Sequence, residues 1–265
     1  MSAAAPDRLK QQYRSTFKDR RRVLQEDSVR ADLYEARYAT VMEVLSEYAS
    51  PGQGLVLDAG CGDGVLLERL LASGHRAAGL DISRSSLTFL RQGTTAAKDA
   101  ALVEGDLECL PFASESLRTL TCLEALEHLA DVEAALREFH RVLEPGGLLV
   151  ATVPSVLNPR NLAIVGGRST MFGSLVSGAL KVAGSFGEGS ILHPWADASG
   201  VSFPHKYFWP WRIRRDLTRA GFRIVRIERT QFTIYRRIGR KLERLLNLCT
   251  GRRLGDLLVV CGVRE

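Results

Sequence analysis

The chain has 265 residues, 45% apolar and 25% charged, which is the composition of a globular protein able to bury a substantial core and excludes a disordered or fibrous chain. No uninterrupted apolar run reaches the roughly 18 residues of a membrane-spanning helix. The opening MSAAAPDRLKQQYRSTFKDRRR turns charged where a secretory leader would be apolar, so a cytoplasmic location is expected. Five cysteines (Cys61, Cys109, Cys122, Cys249 and Cys261) are widely spaced with no CxxC pair, which signals neither a disulfide framework nor a zinc cage. The net charge of +6 is unevenly placed. Residues 58–144 lean acidic, whereas 206–253 set many Arg and Lys against only Asp216, Glu228 and Glu243. A basic half of this kind suits an anionic substrate, a membrane surface or nucleic acid, or is simply a solvated face.

In chain order, residues 1–50 read as mainly helical up to the breaker Pro51-Gly52, a lead-in or lid to a domain spanning 51–265. From Leu55 short apolar runs alternate with helical patterns: strand LVLDA, a helix from Gly64, strand RAAGLD, a helix after Ser83, and strand AALVE. Next come a strand around LRTLTCL, a helix carrying Val132, Ala135, Leu136, Phe139, Val142 and Leu143 on one face, and a strand GLLVATV that EPGG introduces as a turn. Strict alternation predicts an α/β fold: a Rossmann-like, seven-stranded, mostly parallel sheet with helices on both faces and an antiparallel last strand. Residues 155–205, Gly- and Ser-rich around apolar pieces, interrupt the rhythm and read as an insertion rather than a strand. A helix near Pro210–Ala220, strand FRIVRIE, a basic helix over 236–248 and strand DLLVVCGV complete the chain.

In an open α/β sheet the ligand lies beyond the carboxyl end of the first strand, where Asp58, Gly60, Cys61, Gly62 and Gly64 fall. A dinucleotide fingerprint would need its third glycine at position 65, which is Val65, and Asp58 would sit close to a pyrophosphate. A cofactor carrying an ammonium and a sulfonium tolerates that charge. Asp81, about 20 residues on, ends the second strand where an acid accepts hydrogen bonds from both ribose hydroxyls. Asp106, after the third strand, can receive the exocyclic amine of adenine, or else be a loop acid or helix cap.

The segments VLDAGCGDG, GLDIS, EGDLECLPF, LEALEHL and RVLEPGGLLVATVP resemble the successive motifs of class I S-adenosylmethionine-dependent methyltransferases, in particular the small-molecule type 11 branch that includes ubiquinone and menaquinone biosynthesis enzymes. The likeness covers roughly 50–154 and resumes at HKYFWPWRIRRDLTRAGFRIVRIE. It implies S-adenosylmethionine as cosubstrate, with Asp58, Gly60 and Gly62 lining its methionine end. Asp81 and Ile82 would then hold the ribose and adenine, Asp106 and Leu107 the adenine, and Glu124 would lie beside the methionine moiety.

Methyl transfer mainly requires an acceptor held in line with the sulfur–methyl bond, and a hydroxyl acceptor is helped by a general base. His128 is the first candidate base, though it equally fits a histidine that packs on or caps the next helix. His205, before the late helix, stands where the family commonly has a histidine near the acceptor, and His193 also flanks the insertion. Glu124, Glu127 and His128 have the ExxEH spacing that in ubiquinone O-methyltransferases is associated with a divalent metal. Adjacent Glu127 and His128 need not converge, so a metal is not the favoured reading. The fourth strand ends in TCLEALEH rather than the NPPY-type sequence of base-methylating enzymes, which disfavours nucleic acid.

The apolar LAIVGGRSTMFGSLVSGALKVAG occupies the slot where this fold builds its substrate cover, and RRIGRKLERLLNL is a basic amphipathic pattern able to lie on an anionic membrane. The expected function is methylation, chiefly of oxygen, on a small or lipid-linked molecule with possible contact to a membrane surface. An RNA methyltransferase and a non-catalytic protein of the same fold are the alternatives.

Overall fold

A computed structural model describes residues 10–14, 28–93, 100–157, 190–192, 195–196, 202–203, 205–230 and 257–265. The helix expected over 236–248, His193 and most of the 155–205 insertion lie outside the described residues.

Helix α1 (Ser28–Tyr48) leads into alternating strands and helices: β1 (Leu55–Ala59), α2 (Val65–Ala72), β2 (Arg76–Asp81), α3 (Arg84–Gly93), β3 (Ala101–Glu104) and β4 (Leu117–Leu123). A short 3-10 turn (Leu126–His128), α4 (Val132–Val142) and β5 (Leu143–Pro154) follow. The late elements are β6 (Ser190–Leu192), β7 (Trp195–Ala196), β8 (Ser202–Phe203), β9 (Lys206–Phe208), α5 (Pro210–Arg219), β10 (Phe222–Arg229) and β11 (Leu257–Arg264). Seven strands form one sheet in the order β10-β11-β5-β4-β1-β2-β3. β1 to β5 pair in parallel, and β11 runs antiparallel between β5 and β10. The predicted architecture is the observed one.

The two faces of the sheet separate by residue parity, as a period of two requires. Leu57, Ala59, Ala78, Leu80, Leu149 and Ala151 pack with Leu136 and Phe139 of α4 and Ile213 and Leu217 of α5. Their chain neighbours Val56, Ala77, Leu148 and Val150 face the other way, onto Val41, Val44 and Leu45 of α1 and Leu66, Leu67 and Leu70 of α2. Helix α1 is therefore part of the core, and Arg226 of β10 ties it down through Glu43 at 3.2 Å and Glu47 at 2.7 Å. What stands over the ligand end of the sheet is the separate helical stretch 10–14.

Two local expectations change. EPGG is not a turn outside the sheet but an irregular start of β5: Leu117 pairs with Leu143 and Thr119 already with Leu148, so the extra residues are accommodated inside the ladder. Gly146, at φ +76°, absorbs the irregularity. The described parts of the insertion include short antiparallel strands, β6 against β9 and β7 against β8, and so it is not strandless. Strands of two and three residues are too short to show an alternation in sequence.

Because β2 and β3 extend the sheet to one side of β1 while β4 returns on the other, the strand order reverses between β1 and β4. The carboxyl ends of these two strands flank the crevice at that point, where such sheets bind ligands.

Candidate cofactor and acceptor site

The loop after β1 carries Gly60, Gly62 and Gly64 at φ +80°, +55° and +78°, conformations in which a side chain is strained. Gly60 N and Cys61 N both donate to Leu80 O, at 2.7 and 3.0 Å, which binds the loop to the end of β2. There Asp81 accepts from Gly62 N through Oδ2 and from Ser83 N through Oδ1, each at 2.8 Å. A carboxylate offers about four lone-pair sites. One backbone N–H on each oxygen fixes the orientation of the Asp81 carboxylate.

The cleft over this loop encloses about 920 Å³, open solvent at its mouth included. Gly60, Gly62, Asp81, Ile82, Asp106, Leu107, Glu124 and His128 line it, eight of the residues singled out in the sequence. Asp58 and Cys61 are not among the lining residues. Asp58, 3% exposed, accepts from Thr121 Oγ1 at 3.2 Å and so links β1 to β4 beneath the cleft. Cys61 is likewise buried, and burial, reinforced by the charges of Asp58 and Asp81, pushes its thiol well above the ordinary range.

One end of the cleft is built from the loop after β3. Asp106 Oδ1 accepts from Glu108 N at 2.9 Å, while Oδ2 pairs at 2.6 Å with Lys10 of the stretch 10–14. Helix α4 holds the loop from behind, since Glu138 accepts from Leu110 N at 2.8 Å and Arg141 donates to Phe112 O at 2.8 Å and Leu110 O at 3.0 Å. The hydrogen bond from Arg141, with that from Leu110, holds the Glu138 carboxyl below its ordinary value despite partial burial. A group with a depressed folded pKa stabilises above its unfolded pKa and loses that contribution as pH falls through the folded one. Glu138→Gln should therefore lower stability by about 1–3 kcal/mol at neutral pH. The gap from wild type should close as pH falls through the carboxylate range, which urea midpoints at neutral and acid pH would show; a pH-independent gap would contradict the clamp.

At the other end Glu124 follows β4 with φ +49°, an unusual conformation for a glutamate. Glu124 N donates to Thr152 Oγ1 at 3.1 Å, and its carboxylate pairs with Arg37 of α1. Arg37 is 8% exposed, its guanidinium lies 4.6 Å from the Tyr34 ring centre, and its Nε–H has no hydrogen-bond partner among the described residues. Strain held in place by surrounding contacts is characteristic of ligand sites.

Beside Glu124 the 3-10 turn presents His128 to the cleft, with the Glu127 carboxylate buried at 1% exposure behind it, 3.9 Å from His128 Nε2. The His128 ring is centred 5.5 Å from Tyr13 and 5.1 Å from His205, and His205 lies 4.9 Å from Tyr207. Burial, with the Glu127 charge behind it, pushes the Tyr13 phenol up, so it stays protonated near neutrality. Of the three ExxEH residues, Glu127 and His128 converge and Glu124 is turned to Arg37. His205 takes the third place, its ligand atom and those of Glu127 and His128 lying within 4.8 Å of one another. Lys10, Tyr13 and Arg37 were missed in the sequence, where nothing local marks a helical Lys, Tyr or Arg as facing a site formed by distant strands.

A parallel sheet with a glycine loop, an acid at the end of β2 and a second acid after β3 defines the class I methyltransferase fold. Residues 57–151 match the family model described as a methyltransferase domain. The chain is 41% identical over 106 residues to malonyl-[acyl-carrier protein] O-methyltransferase of Erwinia pyrifoliae, covering 40% of this chain and 39% of that protein. It is 36% identical over 97 residues to demethylmenaquinone methyltransferase of Staphylococcus epidermidis, covering 36% and 40%. The chain thus matches about two fifths of the length of these curated relatives. Among solved structures, 1,6-didemethyltoxoflavin-N1-methyltransferase of Burkholderia thailandensis, determined with bound 1,6-didemethyltoxoflavin and S-adenosylhomocysteine, superposes with a TM-score of 0.58 at 17% identity over 100% of this chain and 92% of that one, a likeness of fold.

Proposed function

We propose that this chain is an S-adenosylmethionine-dependent methyltransferase acting on a small molecule, most simply at an oxygen. The observation that carries this is the Asp81 carboxylate, fixed by Gly62 N and Ser83 N and facing a cleft with an acid at each end. The donor set suits the cosubstrate along its length: Asp81 for the ribose hydroxyls, Asp106 and Leu107 for adenine, and Glu124 for the ammonium of the amino-acid tail. When bound, the sulfonium supplies an activated methyl group on a good leaving group.

The protein's own work is orientation and proton removal. Tyr13 and His128 line the same cleft as Asp81 and Asp106, so an acceptor bound beside them meets an imidazole. His128 would take the proton of an acceptor hydroxyl, and the Glu127 carboxylate at 3.9 Å would stabilise the imidazolium that results. His205, in ring contact with His128, would fix its orientation.

A lipid- or carrier-linked acceptor is the finer proposal. It draws on the apolar insertion and the basic pattern of 236–248, and on relatives named for a menaquinone precursor and an acyl-carrier-protein conjugate. Among the described residues no helix is long and apolar enough to cross a membrane. Calorimetry with S-adenosylmethionine, followed by transfer of radiolabelled methyl into lipid, metabolite and RNA fractions, tests both levels. Micromolar binding with label in lipid or metabolite is expected. Label confined to RNA would overturn the acceptor class, and absence of binding the whole proposal.

A further inference from the structure

We propose that Lys10 is a positioning residue of the cofactor site, an ionic latch that holds the helical stretch 10–14 across the adenine end and must open for cofactor exchange. This rests on the S-adenosylmethionine reading above. The Lys10 ammonium lies 2.6 Å from Asp106 Oδ2 and 2.6 Å from Glu108 Oε2, and all three residues line the cleft. Their side chains are only 28%, 20% and 11% exposed, so solvent screens the pairs less than it would on an open surface. Three residues on, and therefore on the same side of a helix, Tyr13 meets the ring of His128. One helical turn thus spans the cleft from its adenine end to its acceptor end.

The latch engages elements that already carry structural duties. Glu108 Oε1 accepts from Asp131 N at 2.9 Å, at the start of α4, so Glu108 cannot swing away freely. Asp106 uses Oδ1 for Glu108 N and Oδ2 for Lys10, leaving one lone pair on each oxygen for the adenine amine. A single ammonium compensates two neighbouring carboxylates, and without it they would repel one another and loosen the loop that receives the adenine. Burial works against the Lys10 charge, but hydrogen bonds to Asp106 and Glu108 outweigh it and raise the pKa above that of an ordinary lysine, so the latch remains charged through neutral pH.

The test is the dissociation rate of S-adenosylhomocysteine from the full chain by stopped flow, in wild type, Lys10→Met and Lys10→Arg, at low and high salt. Lys10→Met keeps most of the apolar stem and should release the ligand about tenfold faster, as expected for loss of a partly shielded double ion pair. Its rate should be nearly independent of salt, whereas wild-type release should quicken as salt rises, and Lys10→Arg should restore slow release. Equal unfolding midpoints in wild type and Lys10→Met would separate the latch from a general loss of stability. If Lys10→Met releases ligand at the wild-type rate, or wild-type release ignores salt, the latch is refuted while the cofactor reading stands. If wild type binds neither S-adenosylmethionine nor S-adenosylhomocysteine, both fall.

Discussion

Asp81→Ala should reduce the affinity for S-adenosylmethionine by a few hundred-fold to a few thousand-fold. Two charge-assisted hydrogen bonds to ribose hydroxyls, at about 1.5–2.5 kcal/mol each, amount to about 3–5 kcal/mol. The substitution also frees Gly62 N and Ser83 N, the two donors that tie the glycine loop and the start of α3 to β2. A conserved shape with half the acceptors, Asp81→Asn, should fall between wild type and alanine. Titration calorimetry on the three proteins checks this. Undiminished binding by Asp81→Ala would remove the ribose assignment and with it the alignment of the cofactor in the cleft.

Gly60→Ala should damage stability and binding together. At φ +80° the alanine pays about 1–2 kcal/mol for the left-handed conformation. Its Cβ would also stand 2.9 Å from the Cβ of Ala125, which has no rotamer to move into, so the loop after β4 must shift as a unit. A total near 2–4 kcal/mol is expected, because backbone strain and a packed clash add. The moved loop bears Glu124 and His128, so cosubstrate binding should weaken in the fraction that still folds. Gly52→Ala is the internal comparison: its φ is +88°, yet nothing lies within 4 Å of the added Cβ. It should cost only the conformational part, about 1–2 kcal/mol. Chemical denaturation of both variants decides the matter, and equal losses would mean that the Ala125 contact carries no weight.

Several site residues could be read without a structure because their signal is local. LVLDAGCGDG combines a buried strand with a loop of alternating glycines, and Asp81 and Asp106 stand at the ends of the next two strands. In a parallel sheet every such strand end lies at the same edge, so sequence order alone brings these acids to one cleft. Strand β4 and helix α4 were equally legible, the first as a short run of Leu, Thr and Cys broken only by Arg118 and the second through its 3.6-residue periodicity. The glycines of EPGG announce an irregular backbone but not whether the ladder continues across it.

What the sequence by itself determined is therefore the sheet, its order of construction, and the glycine and acid series at the carboxyl edge of its strands, all set by patterns a few residues long. Tertiary structure alone decided which charges meet. Arg37 reaches Glu124 across 87 positions, and Lys10 reaches Asp106 and Glu108 from outside the sheet. It also decided that Asp58 and Cys61 lie under the cleft, and that His205 rather than Glu124 joins Glu127 and His128. The physical reason is the same in each case: a charged or aromatic side chain on a helix carries no local mark of its partner, and only the packing of α1 and the stretch 10–14 against the ends of β1, β3 and β4 supplies one.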